Sequence, residues 1–205
     1  DQENKIIPVP KEIEYLSNTM SLKLSKDLKI YCSEDNLRSI ATIFVEQLNL
    51  LGHKHQLSYD KSTNANISLL LDDTLEAEEH RITTDQNIKI SGGSYNAISA
   101  AMTSILHLLE KKGEDILFPL VKIRDFPDAS YRGLMIDLAR RWHTIETLKK
   151  LIDLSAFYKL NYMQLHLTDD QSFTFPSEAY PKLATIGKHY SKEELVNLVD
   201  YSKRR

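Results

Sequence analysis

The stretch Arg132–Ala139 has the sequence RGLMIDLA, and the stretch Tyr162–Leu167 has the sequence YMQLHL. Both are strand-like, and between them apolar residues recur at helical spacing, at Leu148, Leu151 and Ile152. Strand and helix therefore alternate with a repeat of roughly 30 residues, the size of a βαβ unit. This repeat predicts parallel strands joined by right-handed crossovers, and it decides the fold of the second half of the chain.

A last helix is predicted to begin after Ser191. Glu194 stands three residues later, which is the spacing of a capping box. The predicted helix carries an apolar face made of Leu195, Leu198 and Val199. The C-terminal part of the chain therefore contains two repeats of strand and helix.

The first half has a different pattern. Its predicted elements are extended chain over Lys5–Lys23, a strand at Leu28–Tyr31, a helix from Leu37 that stops at Gly52, a strand at Ile67–Leu71, a hairpin of Arg81–Thr83 with Ile88–Ile90, a helix from Ile98 that ends near Lys111–Gly113, and a strand at Ile116–Ile123. Strand pairs joined by turns, with two helices over one face of the sheet, indicate an α+β domain. Asp125–Asp128 is predicted to be the linker, so the domains are residues 1–126 and 127–205.

Composition excludes several protein classes. The 205 residues carry a formal net charge of −3, which argues against a general nucleic-acid binder. No stretch approaches the roughly 18 consecutive apolar residues of a membrane span. Cys32 is the only cysteine, so neither an internal disulfide nor a cysteine zinc cluster is expected. The chain starts at Asp1 without Met, so we expect that an upstream segment has been removed; this favours a periplasmic or secreted location without deciding it.

Polar side chains cluster where the two predicted parallel strands end. Asp137 and Arg140 follow the first strand, and His166, Asp169 and Asp170 follow the second. In parallel α/β folds, functional groups gather at these strand ends. The five donors of an arginine can grip vicinal hydroxyls, and adjacent carboxylates can orient a catalytic histidine. The arrangement is what a sugar-binding site needs.

Two further features of the sequence, Trp142 and a glycine run in the first half of the chain, are interpreted separately. Trp142 offers a flat apolar face for a pyranose ring. The run Gly92-Gly93-Ser94 lacks the spacing of a phosphate-binding loop, so a turn and a helix start are predicted there. No spacing typical of a metal site or of a serine–histidine–aspartate triad is present.

Structural interpretations of the same residues stay open. Arg140 and Arg141 could form surface ion pairs, and His166 could be a hydrogen-bonded histidine inside the sheet. Asp169-Asp170 could be a turn and a helix cap. Asp137 is harder to explain in this way, because a carboxylate that faces a barrel interior needs a partner such as an arginine.

The two strand-end motifs resemble glycoside hydrolase family 20, the β-N-acetylhexosaminidases. The first motif is Tyr131–Arg140, the second is Lys159–Gln171, and Tyr180–Leu183 continues the resemblance. The earlier part, with its strand, Gly92-Gly93 and long helix, resembles the small α+β domain of that family. The resemblance implies that residues 1–126 are this domain and that residues 127–205 are the first βαβα units of a (β/α)8 TIM barrel, incomplete in this chain.

The resemblance also implies an activity. Family members remove terminal N-acetylglucosamine or N-acetylgalactosamine from glycans, chitooligosaccharides or glycoconjugates. The mechanism is retaining and substrate-assisted, because the 2-acetamido oxygen of the substrate attacks the anomeric carbon. No cofactor and no metal are implied.

Residue roles follow from the match of the motifs. Arg140 would bind the 3- and 4-hydroxyls of the terminal sugar, and Asp169 would orient a histidine that is coupled to the catalytic acid. Asp137, His166 and Asp170 would be supporting residues.

Three departures from the family pattern matter. The family's His-x-Gly-Gly-Asp-Glu stretch, which holds the catalytic pair, does not occur in the sequence. A barrel needs about 250 residues and eight strands, and two strands are predicted here. Arg141-Trp142-His143 stands where the family often has histidine and aromatics. We therefore expect the N-terminal portion of a hexosaminidase, inactive alone, whose barrel is completed by a remaining segment or a second chain. The alternative is a non-catalytic carbohydrate-binding or interaction module that keeps Arg140 and Asp169.

Overall fold

The computed structural model describes residues 4–205 and forms two compact units, Asp1–Asp128 and Ala129–Arg205. Each unit has a hydrophobic core of its own. The expectation of a removed upstream segment depends on residues 1–3, which lie outside the described residues. The longest helix in the described part has 14 residues, and none combines the length and apolarity that a membrane span requires.

The first unit contains a mixed sheet, a small antiparallel sheet and two helices. The elements are β1 (Glu12–Tyr15), β2 (Ser21–Lys23), β3 (Asp27–Cys32), α1 (Arg38–Leu50), β4 (Gln56–Tyr59), β5 (Ile67–Leu71), β6 (His80–Thr84), β7 (Ile88–Gly92), α2 (Tyr95–Leu108), β8 (Glu110–Lys112), β9 (Asp115–Pro119) and β10 (Val121–Asp125). Seven strands form a sheet in the order β1-β10-β6-β7-β5-β3-β4, and β2-β9-β8 form the second sheet.

The larger sheet has an antiparallel half and a parallel half. Strands β1, β10, β6 and β7 pair antiparallel, and the β6–β7 hairpin confirms the predicted one. Strand β3 pairs parallel with β4 and β5, and β5 pairs parallel with β7. The parallel half arises because helix α1 connects β3 to β4, and a helical crossover returns the chain in the same direction.

Helices α1 and α2 bury their apolar faces in one core with the inward residues of the sheet. Ile40, Phe44 and Leu48 of α1 and Ile98 and Ile105 of α2 are almost inaccessible to solvent. Their spacing of three or four residues places them on one side of each helix. The two apolar periodicities in the sequence therefore predicted the core-facing sides of both helices.

Two predicted boundaries are wrong. Ile116–Ile123 is not one strand: it divides at Leu120 into β9 and β10, which belong to different sheets, and Pro119 at the end of β9 has no N–H to continue a ladder. The second helix stops at Leu108, because Leu109 takes an extended conformation and residues 110–112 form strand β8.

The second unit contains β11 (Gly133–Asp137), α3 (Ile145–Phe157), β12 (Tyr162–His166) and α4 (Lys192–Lys203). Strands β11 and β12 pair in parallel, as predicted. The capping box of Ser191 and Glu194 is also present at the start of α4. Leu198 is buried as expected, but Val199 is 49% exposed, so its assignment to the apolar face was wrong.

Candidate functional site

The parallel register of β11 and β12 places the ends of both strands side by side. Asp137, the last residue of β11, is the register partner of His166, the last residue of β12. Ile136 and Leu165 point to the hydrophobic core of the unit. Because side chains alternate along a strand, Asp137 and His166 occupy the opposite face.

Arg140 links the two strand ends. Its Nη1 lies 2.6 Å from Oδ2 of Asp137, and its Nη2 lies 2.7 Å from Oδ2 of Asp169. Its backbone N–H also donates to Oδ1 of Asp137, at 3.0 Å. Asp137 therefore has the arginine partner that its position required. Arg140 is an ion-paired residue, but both of its partners are predicted site residues, and its side chain stays 54% exposed.

Asp169 is the centre of the group. Nε2 of His166 lies 2.8 Å from the same Oδ2 that accepts from Arg140, so this nitrogen carries the hydrogen. The backbone N–H of Asp170 donates to Oδ1 of Asp169 at 2.8 Å. The structure thus brings all five predicted site residues together, with Asp170 contributing through its backbone.

These contacts set the charges of the site. The hydrogen bond from His166, the backbone N–H of Asp170 and the charge of Arg140 lower the pKa of Asp169 to about 2. The backbone N–H and the guanidinium of Arg140 hold the pKa of Asp137 below its ordinary value. Both carboxylates are ionised at neutral pH, so they orient and attract, and neither is suited to be a general acid there.

Two donors of Arg140 are engaged by the carboxylates, and a guanidinium has five. The remaining N–H groups are open to a ligand at the exposed side of the residue. Arg140 can therefore hold a hydroxyl-rich molecule in a fixed orientation, because the carboxylates of Asp137 and Asp169 keep its guanidinium in place.

The loops that carry the site are attached to each other by hydrogen bonds that the sequence did not reveal. Ser172 Oγ donates to the carbonyl of Ala139, and Tyr190 Oη donates to the carbonyl of His143 at 2.5 Å. The backbone N–H of Tyr190 donates to the carbonyl of Thr174 at 2.9 Å. Tyr190 is wholly buried. The signal that could have found it is its place directly before the Ser191 cap, where an apolar residue packs against the first turns of a helix.

Other residues singled out in the sequence take structural roles. Trp142 stacks on Tyr190 with ring centroids 5.6 Å apart, so one face of its indole is not free for a sugar. Arg141 is exposed and forms no ion pair with any residue of 4–205. Asp169 stands in a turn, closed by its N–H donating to the carbonyl of Ser172. The helix-cap interpretation is wrong, because the next helical segment after Asp169 is the short one at Pro181–Leu183.

The glycine run confirms the predicted turn and helix start. Ser94 caps α2 by accepting from the N–H of Ala97, and its hydroxyl donates to the carbonyl of Ala77. A Cβ on Gly93 would lie 2.0 Å from the carbonyl oxygen of Glu76. Glycine is needed there because two backbone segments approach closely.

Comparison with known proteins bears on this site directly. The model of the glycosyl hydrolase family 20 catalytic domain matches residues 130–205, and the model of family 20 domain 2 matches residues 3–126. The chain belongs to glycosyl hydrolase family 20. The family 20 catalytic-domain match contains the whole group of Asp137, Arg140, His166, Asp169 and Asp170.

Relatives of this family 20 chain are longer. It is 29% identical to a β-hexosaminidase of Vibrio furnissii over 93% of this chain and 31% of that protein. Among solved structures it is similar to a β-N-acetylhexosaminidase of Bacteroides fragilis, with 27% identity and a TM-score of 0.87 over 98% of this chain and 43% of the other. An exo-β-N-acetylglucosaminidase of Vibrio harveyi in complex with N-acetylglucosamine has 25% identity and a TM-score of 0.87, over 98% and 34%. The chain therefore spans about a third of the length of the curated relative and one third to under half of these structures.

Proposed function

We propose that this chain is part of a β-N-acetylhexosaminidase that removes terminal N-acetylglucosamine or N-acetylgalactosamine from glycans or chitooligosaccharides. The observation that carries the proposal is the Arg140 guanidinium, fixed between Asp137 and Asp169 at the ends of two adjacent parallel strands of a family 20 chain. The substrate class is supported by the Vibrio harveyi relative, which was solved with N-acetylglucosamine.

In this proposal Arg140 binds the 3- and 4-hydroxyls of the terminal sugar. Asp137 and His166 support it: Asp137 holds the guanidinium from one side, and His166 helps to fix Asp169 on the other. Asp169 orients a histidine that is coupled to the catalytic acid. The nucleophile is the 2-acetamido oxygen of the substrate, so the reaction retains configuration without a protein nucleophile.

The catalytic acid is proposed to come from residues beyond this sequence. The low pKa values of Asp137 and Asp169 leave them ionised, and a leaving group needs a proton donor. The sequence also lacks the Asp-Glu pair that the family places after its fourth strand. The chain alone should bind sugar and should not hydrolyse it.

We propose in addition that β11 and β12 begin a (β/α)8 barrel. Leu134 is 38% exposed, Met135 is 55% exposed and Tyr162 is 55% exposed, although they belong to strands. Two paired strands leave backbone donors and acceptors open at both edges. Further strands, from a remaining segment or a second chain, would pair with these edges and cover these side chains.

Calorimetric titration with N-acetylglucosamine tests the sugar site. The wild-type chain should bind, Arg140→Ala should bind roughly ten-fold or more weakly because charge-assisted hydrogen bonds are lost, and Arg141→Ala should bind like the wild type. Arg141 is the matched control because it is adjacent, exposed and outside the network. Equal affinities of the wild type and Arg140→Ala would contradict the proposed site.

A chromogenic N-acetylglucosaminide tests catalysis. The isolated chain should release no chromophore above the rate of Arg140→Ala, and native mass measurement should show whether a second chain is bound. Turnover by the chain alone would overturn the proposal that the acid lies elsewhere. Sugar binding with no turnover in any assembly that contains the chain would favour the non-catalytic carbohydrate-binding module.

A further inference from the structure

The first unit contains an open pocket of about 700 Å³ that the proposed activity does not use. Three loops line it: the segment before β3, the segment between α1 and β4, and the turn between β8 and β9. Its basic lining residues are Lys23, Lys26, Lys54, His53 and His55. A volume of this size is typical of ligand sites and exceeds the space that a simple ion occupies.

The positive charge in the pocket is only partly neutralised. Lys23 forms an ion pair with Asp115, at 2.8 Å. Within the described part of the chain, Lys26 and Lys54 have no acidic partner, and Glu114 has no basic one. Two exposed lysines and one exposed glutamate therefore line the same pocket without an ion-pair partner among the described residues.

His53 gives a second observation. It lines the pocket and is 94% buried, since its exposure is 6%, and its Nε2 has no hydrogen-bond partner within residues 4–205. Nδ1 of His55 is bound to the carbonyl of His53 at 3.0 Å, which leaves Nε2 of His55 for another group. Buried polar atoms are nearly always hydrogen-bonded, so an unsatisfied imidazole nitrogen beside a pocket points to a missing partner.

The basic groups are not needed to cap helix α1, which ends at this pocket. Basic residues at a helix C-terminus often compensate its dipole. Here the carbonyl of Leu48 already accepts from the N–H groups of Leu51 and His53, and the carbonyl of Asn49 accepts from Gly52. A metal is not the expected occupant either, because the described residues contain no group of three or more metal-ligating side chains.

We propose that this pocket binds a sugar that carries a sulfate ester. Lys26 and Lys54 would hold the sulfate oxygens, since ammonium groups donate to oxyanions. Glu114 and the hydroxyl of Ser25, which has no hydrogen bond to the described residues, would hold the sugar hydroxyls. The pocket is thus a second carbohydrate site, on a different unit from Arg140, and it does not depend on the proposed activity.

The test uses the full chain with Arg140→Ala, so that the first site does not contribute. Calorimetry with N-acetylglucosamine 6-sulfate at low ionic strength should show binding, and neutral N-acetylglucosamine should bind roughly ten-fold or more weakly. Adding Lys26→Met and Lys54→Met should weaken binding by roughly ten-fold or more, and adding Lys61→Met, an exposed lysine outside the pocket, should not. The proposal would be overturned if the Arg140→Ala chain did not bind the sulfated sugar. It would also be overturned if the added Lys26→Met and Lys54→Met substitutions left the affinity unchanged.

Glu114→Ala separates the sugar from the free ion. It removes a negative charge that repels both anions and a hydroxyl acceptor that only the sugar uses, so the affinity for the sulfated sugar should fall relative to the affinity for inorganic sulfate. Equal affinities for inorganic sulfate and the sulfated sugar would overturn the assignment of a sugar. Shifts of the His53 and His55 ring signals in NMR should accompany binding, and unchanged signals would place the ligand elsewhere and overturn the site.

Discussion

The two units of this chain differ in how fully their strands are buried. Among residues 4–205, the core of the first unit contains 24 buried hydrophobic residues, and the core of the second contains six. In strand β5, Ile67 and Leu69 are fully buried, whereas in strand β11 Leu134 and Met135 are 38% and 55% exposed. The first unit therefore buries the inward-facing side chains of β5 within its own core. The second unit carries the candidate site on strands whose side chains are covered mainly on the side that faces the helices.

This difference in burial implies a difference in stability between the two units. A sheet covered by two helices removes enough apolar surface from water to be stable as a domain. A two-stranded sheet is marginal unless other elements pack on it. The geometry around Arg140 is therefore supported by the loop contacts of Tyr190 and Ser172 in addition to the pairing of the two strands.

The largest expected effect is a loss of core in the first unit. Phe44→Ala should lower the free energy of unfolding by about 3–5 kcal/mol, because Phe44 is fully buried and its removal leaves a cavity. Leu148→Ala in the second unit should cost about 2–3 kcal/mol, since the smaller core can collapse more easily. Urea denaturation followed by far-UV circular dichroism measures both.

Trp142 makes the comparison sharper. It is the only tryptophan and belongs to the second unit, so its fluorescence reports that unit, whereas circular dichroism reports both. We expect the fluorescence transition at a lower urea concentration than the main dichroism transition. Val9→Ala, a substitution at a residue that is 71% exposed, is the control and should change neither. Coincident transitions would contradict the difference between the units.

A smaller effect is expected from buried hydroxyl groups. Thr84 is fully buried, and its hydroxyl donates to the carbonyl of Pro119 and accepts from the N–H of Val121. Thr84→Val should cost about 1–3 kcal/mol, because both backbone groups lose their partner. Tyr190→Phe removes only the donor to the carbonyl of His143, so about 1 kcal/mol is expected.

The two hydroxyl variants should differ in function as well. Tyr190→Phe should weaken N-acetylglucosamine binding, because the loop that carries Arg140 loses one attachment, and Thr84→Val should leave the affinity unchanged. Calorimetry at a temperature where both variants are folded measures this. Equal affinities for the wild type and Tyr190→Phe would show that Tyr190 is structural only.

Much of this fold could be predicted because local patterns determine it. The period of the apolar residues in 132–139 and 162–167 indicated β11 and β12, and Ser191 with Glu194 indicated the start of α4. Short strands such as β4 and β8 were missed, because three or four residues carry no periodicity and depend on the partner strand. The division at Leu120 is likewise set by which sheet each half joins.

The sequence allowed the residues of the site to be predicted, but not the hydrogen bonds and ion pairs between them. Asp137 and Asp169 were expected because strand ends collect functional groups in parallel folds. That Asp169 accepts from both Arg140 and His166 depends on register and loop shape, which sequence spacing does not contain. The stacking of Trp142 on Tyr190 could not be predicted for the same reason, since it brings together residues 48 positions apart.

The smallest expected effect concerns the ionisation of Asp169, which accepts from Arg140 and His166. Its pKa is compared with that of an acid in the first unit, Glu79. The pKa of Asp169 is lowered to about 2 from its ordinary 3.8, chiefly by His166, and the pKa of Glu79 is lowered chiefly by the hydrogen bond from Arg124. A carboxylate with a depressed folded pKa stabilises the protein fully above the unfolded value, and this contribution is lost as the pH falls through the folded value. The contribution of Asp169 should therefore disappear between about pH 4 and pH 2 and be constant at neutral pH.

Carboxyl carbon NMR measures both titrations. The midpoint of Asp169 should lie near 2, and His166→Gln should raise it toward 3.8 without reaching that value, because the N–H of Asp170 and the charge of Arg140 remain. The midpoint of Glu79 in the same variant should not move, since its hydrogen bonds come from Arg124 and Arg81. A wild-type midpoint of 3.8 for Asp169 would mean that His166 and Asp169 are not bonded in solution. The loops of the second unit would then lack the fixed geometry on which Arg140 depends, and the contrast between the two units would extend to the site itself.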